Sequence, residues 1–302
     1  MNSDKTTQDI TSQNKARFTM ILAMLIFGTI GIARRYIPLP SSILALVRGT
    51  IGSIFLLIVV FCSGKKLSLK AIKANLVLLV VSGAFIGANW ILLFEAYRYT
   101  SVATATLCYY LAPVFVILTA PLILKEKMTV RKLICAAIAL MGMVFVSGVI
   151  GTGLNLSEMK GILFGIGAAI LYACVVLMNQ KIKNIGAYDK TIMQLGTAAI
   201  TLLPYTLLTE DFSGIVLTKE TVMLVLVVGI LHTGIAYALY FGSMSSLSAQ
   251  TVALFSYIDP VMAILLSALV LREPMGITGA LGAVMILGST LVSEIQIKRR
   301  VH

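Results

Sequence analysis

Apolar runs of about twenty residues recur along the whole chain, separated by short polar breaks. A helix needs roughly 20 apolar residues to cross the hydrocarbon core at about 1.5 Å rise per residue. The pattern predicts ten such helices, over 17–36, 41–63, 74–97, 101–124, 130–150, 160–182, 190–209, 220–243, 247–271 and 276–295. The breaks carry turn chemistry: Pro38 and Pro40, Ser63 and Gly64, then 151–153, 184–186 and 211–214. Connections this short make consecutive helices antiparallel neighbours. Polar residues 1–16 and basic residues 296–302 read as tails, and no segment is left for a soluble domain. The first apolar run is too long for a cleaved signal and lacks a small-residue cleavage pattern, so it reads as a retained first span.

One stretch occurs twice. Residues 101–128, SVATATLCYYLAPVFVILTAPLILKEKM, align without a gap on 248–275, SAQTVALFSYIDPVMAILLSALVLREPM, with 12 of 28 positions identical. Ser101/Ser248, Thr104/Thr251, Tyr110/Tyr257, Pro113/Pro260 and Glu126/Glu273 are matched pairs, and Phe94/Phe241 falls in the same register upstream. The chain therefore reads as two copies of one five-helix unit, 17–150 and 160–295. An odd number of spans per copy inverts the second copy relative to the first. Inverted repeats related by an axis in the membrane plane are a recurring design of secondary transporters, with the site near the midplane.

Composition supports the membrane reading and charge orients it. Of 302 residues, 59% are hydrophobic and 12% charged, about half the charge share of a soluble domain. Mean hydropathy is +0.98. A net charge of +12 would suggest nucleic acid in a soluble protein. Here 17 of 24 Lys and Arg fall on the side that holds both termini, six on the other, and Arg48 within a span. The positive-inside rule then places both termini in the cytoplasm. Cys62, Cys108, Cys135 and Cys174 lie apart inside apolar runs without CxxC spacing, against a disulfide framework or a zinc site.

The string YRYTSVATATLCYYLAPVFVILTAPLILKEKMT resembles the fourth-helix signature of EamA-type transporters of the drug/metabolite transporter superfamily, and SSLSAQTVALFSYIDPVMAILLSALVLREPM the ninth-helix signature. Arg48 stands where that family often carries an arginine in its second span. The resemblance covers essentially the whole chain. It implies an all-α membrane protein of ten transmembrane helices in two inverted repeats, with a central cavity, moving small metabolites or drugs across a bacterial cytoplasmic membrane. One departure is Ile26-Phe27-Gly28, where many members have a tryptophan.

Ionisable groups inside spans are costly and usually face a cavity or a partner. Asp259 lies about twelve residues into the ninth helix, directly before Pro260, and its repeat mate is Ala112, so the scaffold does not require an acid there. Two readings stand: a proton-coupling or cation-binding carboxylate, or an acid clasping neighbouring helices. Glu95 is three residues before Arg98, a same-face spacing. Arg48, Glu95 and Arg98 read as an ion-pair cluster at the outer mouth that locks or gates, against direct contact of Arg48 or Glu95 with substrate. His232 is central in the eighth helix; a single histidine argues against a metal site and leaves a substrate or relay role beside a structural one.

Amphipathic rings and amides supply the expected pocket: Tyr110, Tyr257, Trp90, Asn89 and Tyr237, with Tyr109, Tyr172, Tyr240, Asn179 and Gln194 as further candidates. The alternative for each is packing between helices. GxxxG pairs at Gly83 and Gly87 and at Gly161 and Gly165 predict close helix contacts. Glu126 and Glu273 read as salt bridges at helix ends. No GxxxxGK[ST], HExxH or GxSxG motif occurs, so neither ATP hydrolysis nor another enzymatic activity is expected, and no cofactor. The expected function is a secondary transporter, an exporter of an amino acid-like, amine or drug molecule, with the proton as candidate coupling ion. Alternatives are an uncoupled facilitator, a multidrug exporter and, from other classes, an intramembrane enzyme or a lipid scramblase. The partners are a small-molecule substrate and the lipid bilayer, not nucleic acid.

Overall fold

A computed structural model describes residues 2–100, 102–147, 159–270 and 277–294, and these are helical with short turns and no strand. The expected turn at 151–153, Glu273 and the basic segment 296–302 lie outside the described residues. The first half contains α1 (Asn2–Gly28), α2 (Ile30–Arg35), α3 (Ser41–Cys62), α4 (Leu69–Tyr99), α5 (Val102–Tyr109), α6 (Ala112–Leu124) and α7 (Val130–Ser147). The second contains α8 (Met159–Lys181), α9 (Ala187–Thr209), α10 (Lys219–Val227), a π-helical stretch (Val228–Ile235), α11 (Ala236–Ser243), α12 (Ala249–Phe255), α13 (Ile258–Val270) and α14 (Ile277–Glu294). Seven of the resulting segments are long and apolar enough to cross a membrane. Two boundaries differ from expectation. The polar N-terminal segment is helical from Asn2 and continuous with the first span, and α4 starts at Leu69 rather than at 74. Lysines at 70 and 73 explain the second shift, because their stems extend a helix past the apolar run while the ammonium groups stay in water.

Several predicted spans are broken helices. Pro113 and Pro260 lack the N–H that would bond the carbonyl four residues back, and their rings crowd it. The chain accordingly breaks at Tyr110–Leu111 between α5 and α6, and at Ser256–Tyr257 between α12 and α13. The two breaks overlap in the repeat at the matched pair Tyr110 and Tyr257. A third separates α1 from α2 at Thr29, whose hydroxyl donates to the Ile26 carbonyl at 2.7 Å. Sharp turns close other elements: Lys125 and Asn184 are left-handed, and Gly64 takes φ +67° after α3.

The halves pack chiefly on one another, in symmetry-related pairs. The contact of α1 with α11 is mirrored by that of α8 with α4, α3 with the π-helical stretch by α9 with α4, and α1 with α13 by α8 with α6. The pairs α3–α9 and α7–α14 join matched elements of the two halves directly. Glycines permit this closeness. A Cβ at Gly83 or Gly87 would stand 2.7 Å from the Gln194 carbonyl oxygen or 2.8 Å from that of Ala198, both on α9. At Gly165 it would meet the Cys108 Cβ on α5 at 2.8 Å. Both GxxxG pairs therefore lie at the contact between halves.

Polarity is arranged for lipid. Leu122, Leu208 and Ile277 are more than four-fifths exposed, whereas Asn89, Gln194 and Gln250 are buried. Within the bundle the Gln194 amide donates to Ser82 Oγ at 2.6 Å, one of the interhelical bonds that contribute about 0.6 kcal/mol each in a membrane.

Candidate functional site

The broken helices converge on a cavity of about 300 Å³. One face of α4 presents Trp90, Leu93, Phe94 and Tyr97 at i, i+3, i+4 and i+7, and α5 and its break present Thr106, Tyr109 and Tyr110. Tyr172 comes from α8, Tyr237 and Tyr240 from α11, and Phe27 and Ile30 from either side of the α1–α2 break. Two charged residues complete the wall: Arg48 from α3 and Asp259 from the first turn of α13.

The rings support one another in edge-to-face and tilted contacts. Tyr237 lies 5.0 Å from Phe27 and 6.3 Å from Trp90, and Tyr109 lies 5.6 Å from Tyr172. Such pairs each contribute roughly 0.5–1.5 kcal/mol beyond burial and hold the wall in shape. The hydroxyls of Tyr172 and Tyr240 are hydrogen-bonded to each other. The guanidinium carbon of Arg48 sits 4.3 Å above the Trp90 ring, a cation–π geometry. Asp259 is placed at a helix N-terminus, where the dipole favours a carboxylate. Its Oδ2 lies 3.5 Å from the Tyr110 hydroxyl, the one described group within hydrogen-bond range. Gly28 lets the α1–α2 break press against this turn: a Cβ there would stand 2.9 Å from the Asp259 carbonyl oxygen.

Access is one-sided. A second space of about 210 Å³ shares Ile30, Arg48, Phe94 and Tyr97 with the cavity and leads to Arg34 and Ser41, at the end of the bundle where α2 gives way to α3. Towards the opposite end the space adjoining the cavity is about 40 Å³, beside Met24, Pro113 and Ser256, and a separate space of about 320 Å³ near Gln180, Lys190 and Phe241 shares no lining residue with the cavity. Beyond the smaller space the core is closed by buried Met20, Phe241, Met244 and Leu254. At that end the Glu126 carboxylate accepts hydrogen bonds from the backbone N–H of Ala249 at 2.7 Å and of Gln250 at 3.4 Å, capping α12 across the repeat boundary. Among the described residues Glu126 thus makes a helix cap rather than the expected salt bridge.

The chain matches the EamA-like transporter family over residues 14–148 and again over 159–294. It is 31% identical over 295 residues to the uncharacterized transporter YxxF of Bacillus subtilis, covering 96% of this chain and 94% of that protein. The chain belongs to the EamA-like transporter family. Another relative, the uncharacterized transporter YoaV of Bacillus subtilis, is 24% identical over 290 residues, with 95% of this chain and 99% of that protein covered. A solved structure titled only as a crystal structure of protein matches with a TM-score of 0.81 at 21% identity, over 92% of this chain and 97% of that one, and shares the fold.

Within this EamA-like transporter the sequence-expected residues separate into two groups. Trp90, Tyr110, Tyr237, Arg48 and Asp259 border one cavity. Tyr257 does not: it is fully buried, its ring is 6.4 Å from that of Tyr110, and its hydroxyl donates to the Tyr110 carbonyl at 3.1 Å. Asn89 is buried, and its amide donates to the Ala168 carbonyl at 2.5 Å, joining α4 to α8. His232 is buried in the π-helical stretch with Nε2 2.7 Å from Thr29 Oγ1. Glu95 receives Tyr205 Oη at 2.5 Å and pairs with Arg98 at 3.0 Å, while Arg48 takes no part in that pair. Sequence reasoning missed Phe27, Phe94, Tyr97 and Thr106 as lining residues; only the i, i+3, i+4, i+7 spacing after Trp90 signalled two of them. No group of three His, Cys, Asp or Glu able to hold a metal occurs among the described residues.

Proposed function

We propose that this EamA-like transporter is a secondary active transporter of a small amphipathic metabolite, working by alternating access around the cavity described above, with ten spans and both termini in the cytoplasm of a bacterial cell. The observation that carries the reading is a cavity at paired helix breaks, continued by further space at one end and bordered by packed side chains at the other, between two halves related by a sequence repeat. With cytoplasmic termini the opening at Arg34 and Ser41 faces outside. Rocking of the halves would exchange the roles of the two ends, releasing substrate outward in an exporter. No phosphate-binding loop is present, so an ion gradient or the substrate's own gradient drives the cycle.

We assign proton coupling to Asp259. It borders the cavity, lies just after a helix break, and has a single hydroxyl partner at the edge of hydrogen-bond range. The test is transport into liposomes loaded with an interior pH dye, over a panel of amino acids, amines and drugs. Asp259→Asn is expected to abolish substrate-dependent proton movement and pH-driven accumulation, while leaving exchange of labelled substrate down its gradient. Accumulation that still follows the pH gradient in the mutant removes the proton-coupling role.

A further inference from the structure

Among the charged residues that border the cavity, Arg48 has no polar partner of its own among the described residues. Glu95 has Tyr205 and Arg98, and Asp259 has Tyr110. Around Arg48 no described residue accepts a hydrogen bond from the guanidinium, and its Nε is buried without a partner. No described carboxylate comes within ion-pair distance, although Asp259 borders the same cavity. What the protein does supply is the Trp90 face beneath the guanidinium, at 4.3 Å. Stacking fixes the plane of a guanidinium without using any of its N–H donors. A cation placed this deep in a membrane protein needs an anionic or carbonyl complement. The cavity is the side from which such a complement can reach it.

We propose that Arg48, held flat on Trp90, is the anion subsite of the cavity, and that the transported molecule carries a carboxylate there. This rests on the transporter reading above and names its substrate class. A planar guanidinium fork matches a carboxylate in a bidentate fashion, which a cationic amine cannot exploit and which the positive charge repels. The remaining wall is aromatic, with Tyr237, Tyr109 and Phe94 offering ring faces and hydroxyls to an apolar body. A volume of about 300 Å³ accommodates on the order of ten water-sized groups, which sets the scale at a small metabolite. Charge closes the description. A carboxylate on Arg48 leaves the Asp259 charge unopposed, and either an ammonium on the same molecule or a proton on Asp259 offsets it. The substrate is thus a zwitterionic amino acid with an apolar side chain or a simple apolar carboxylic acid, two forms that share the Arg48 contact.

The chain contains a single tryptophan, and it is the ring under Arg48, so its fluorescence reports this subsite directly. The experiment titrates purified full-length protein in lipid nanodiscs with leucine, with 4-methylpentanoate and with 3-methylbutylamine. These are one carbon skeleton bearing both charges, only the carboxylate and only the amine. A saturable change of Trp90 emission is expected with leucine or 4-methylpentanoate and not with the amine; whichever acid binds tells the zwitterion from the simple carboxylate. Arg48→Gln is expected to weaken that binding by at least about tenfold, and Arg48→Lys to restore part of it. Binding of the amine as strong as that of both acids, no saturable change with either acid, or undiminished binding in a folded Arg48→Gln protein would overturn the proposal. If Arg48→Gln does not fold, the comparison of acid with amine on the unaltered protein still decides. Acid binding without transport in liposomes would sink the transporter reading and leave the subsite standing. Transport of an amine without acid binding would do the reverse.

Discussion

Tyr110 and Tyr257 occupy the same position in the two repeats and have opposite surroundings. Tyr110 borders the cavity and faces Asp259, whereas Tyr257 is sealed among Met143, Val261 and Ile286 with its hydroxyl on the Tyr110 carbonyl. We expect Tyr110→Ala to alter substrate preference with little loss of stability, since a cavity wall tolerates truncation. Tyr257→Phe should instead leave the Tyr110 carbonyl without its donor and lower stability by roughly 1 kcal/mol with substrate preference unchanged. Thermal unfolding in detergent and competition uptake measured on both variants check this, and equal effects on preference would place Tyr257 in the pocket after all. Repeat alignment could identify the pair but could not separate them, because the cavity is open on one side only. Arg48, Trp90 and Asp259 were legible as polar or amphipathic groups in apolar runs. Tyr97, Phe27 and Phe94 were not, since a membrane helix is apolar on every face and periodicity does not tell cavity wall from lipid side.

At the scale of elements, proline and glycine decided most of what could be read. The GxxxG pairs marked two close contacts, whereas the spans expected to be continuous at 101–124 and 247–271 are each broken shortly before the matched Pro113 and Pro260. The break at Thr29 and the π-helical stretch had no such marker, because they depend on tertiary partners: Thr29 on His232, and Gly229 on Ile51, whose side chain would stand 2.5 Å from a Cβ there. Gly87→Val is expected to destabilise the bundle by about 1–3 kcal/mol or to prevent assembly, because the added carbon meets the backbone of α9, which cannot swing aside. A monodisperse, equally stable Gly87→Val protein would show that α4 and α9 are not held this close. The Glu126 cap makes a second test. Glu126→Ala removes an acceptor for two N–H groups at the α12 terminus and should cost about 1 kcal/mol, with Glu126→Gln keeping part of it. Unchanged melting of the alanine variant would dismiss the cap as a contributor.

For the whole molecule, hydropathy and the internal repeat together implied an all-helical bundle of two related halves, and matched elements of the two halves make matched contacts across the bundle. The single-sided opening was beyond the sequence, because a symmetric chain encodes two equivalent states and its composition does not say which one is adopted. The expected topology is checked by reporter fusions at each terminus. A cytosol-active fluorescent tag should be bright at both ends, and a periplasm-active phosphatase inactive at both. Activity of the phosphatase at either end would invert the assignment of the open side to the cell exterior.

Because the principal packing partners of α1, α3 and α4 all lie in the second half, the molecule also has a problem in time. Synthesis at roughly 5–20 residues per second separates matched points of the two halves by roughly 7–30 s. During that interval Ser82 and Asn89 are already in place, while the Gln194 and Ala168 groups that bond them are not yet made. The newborn first half therefore waits in the membrane with its polar seam uncovered, and its maturation depends on what shields that seam until the second half is threaded in.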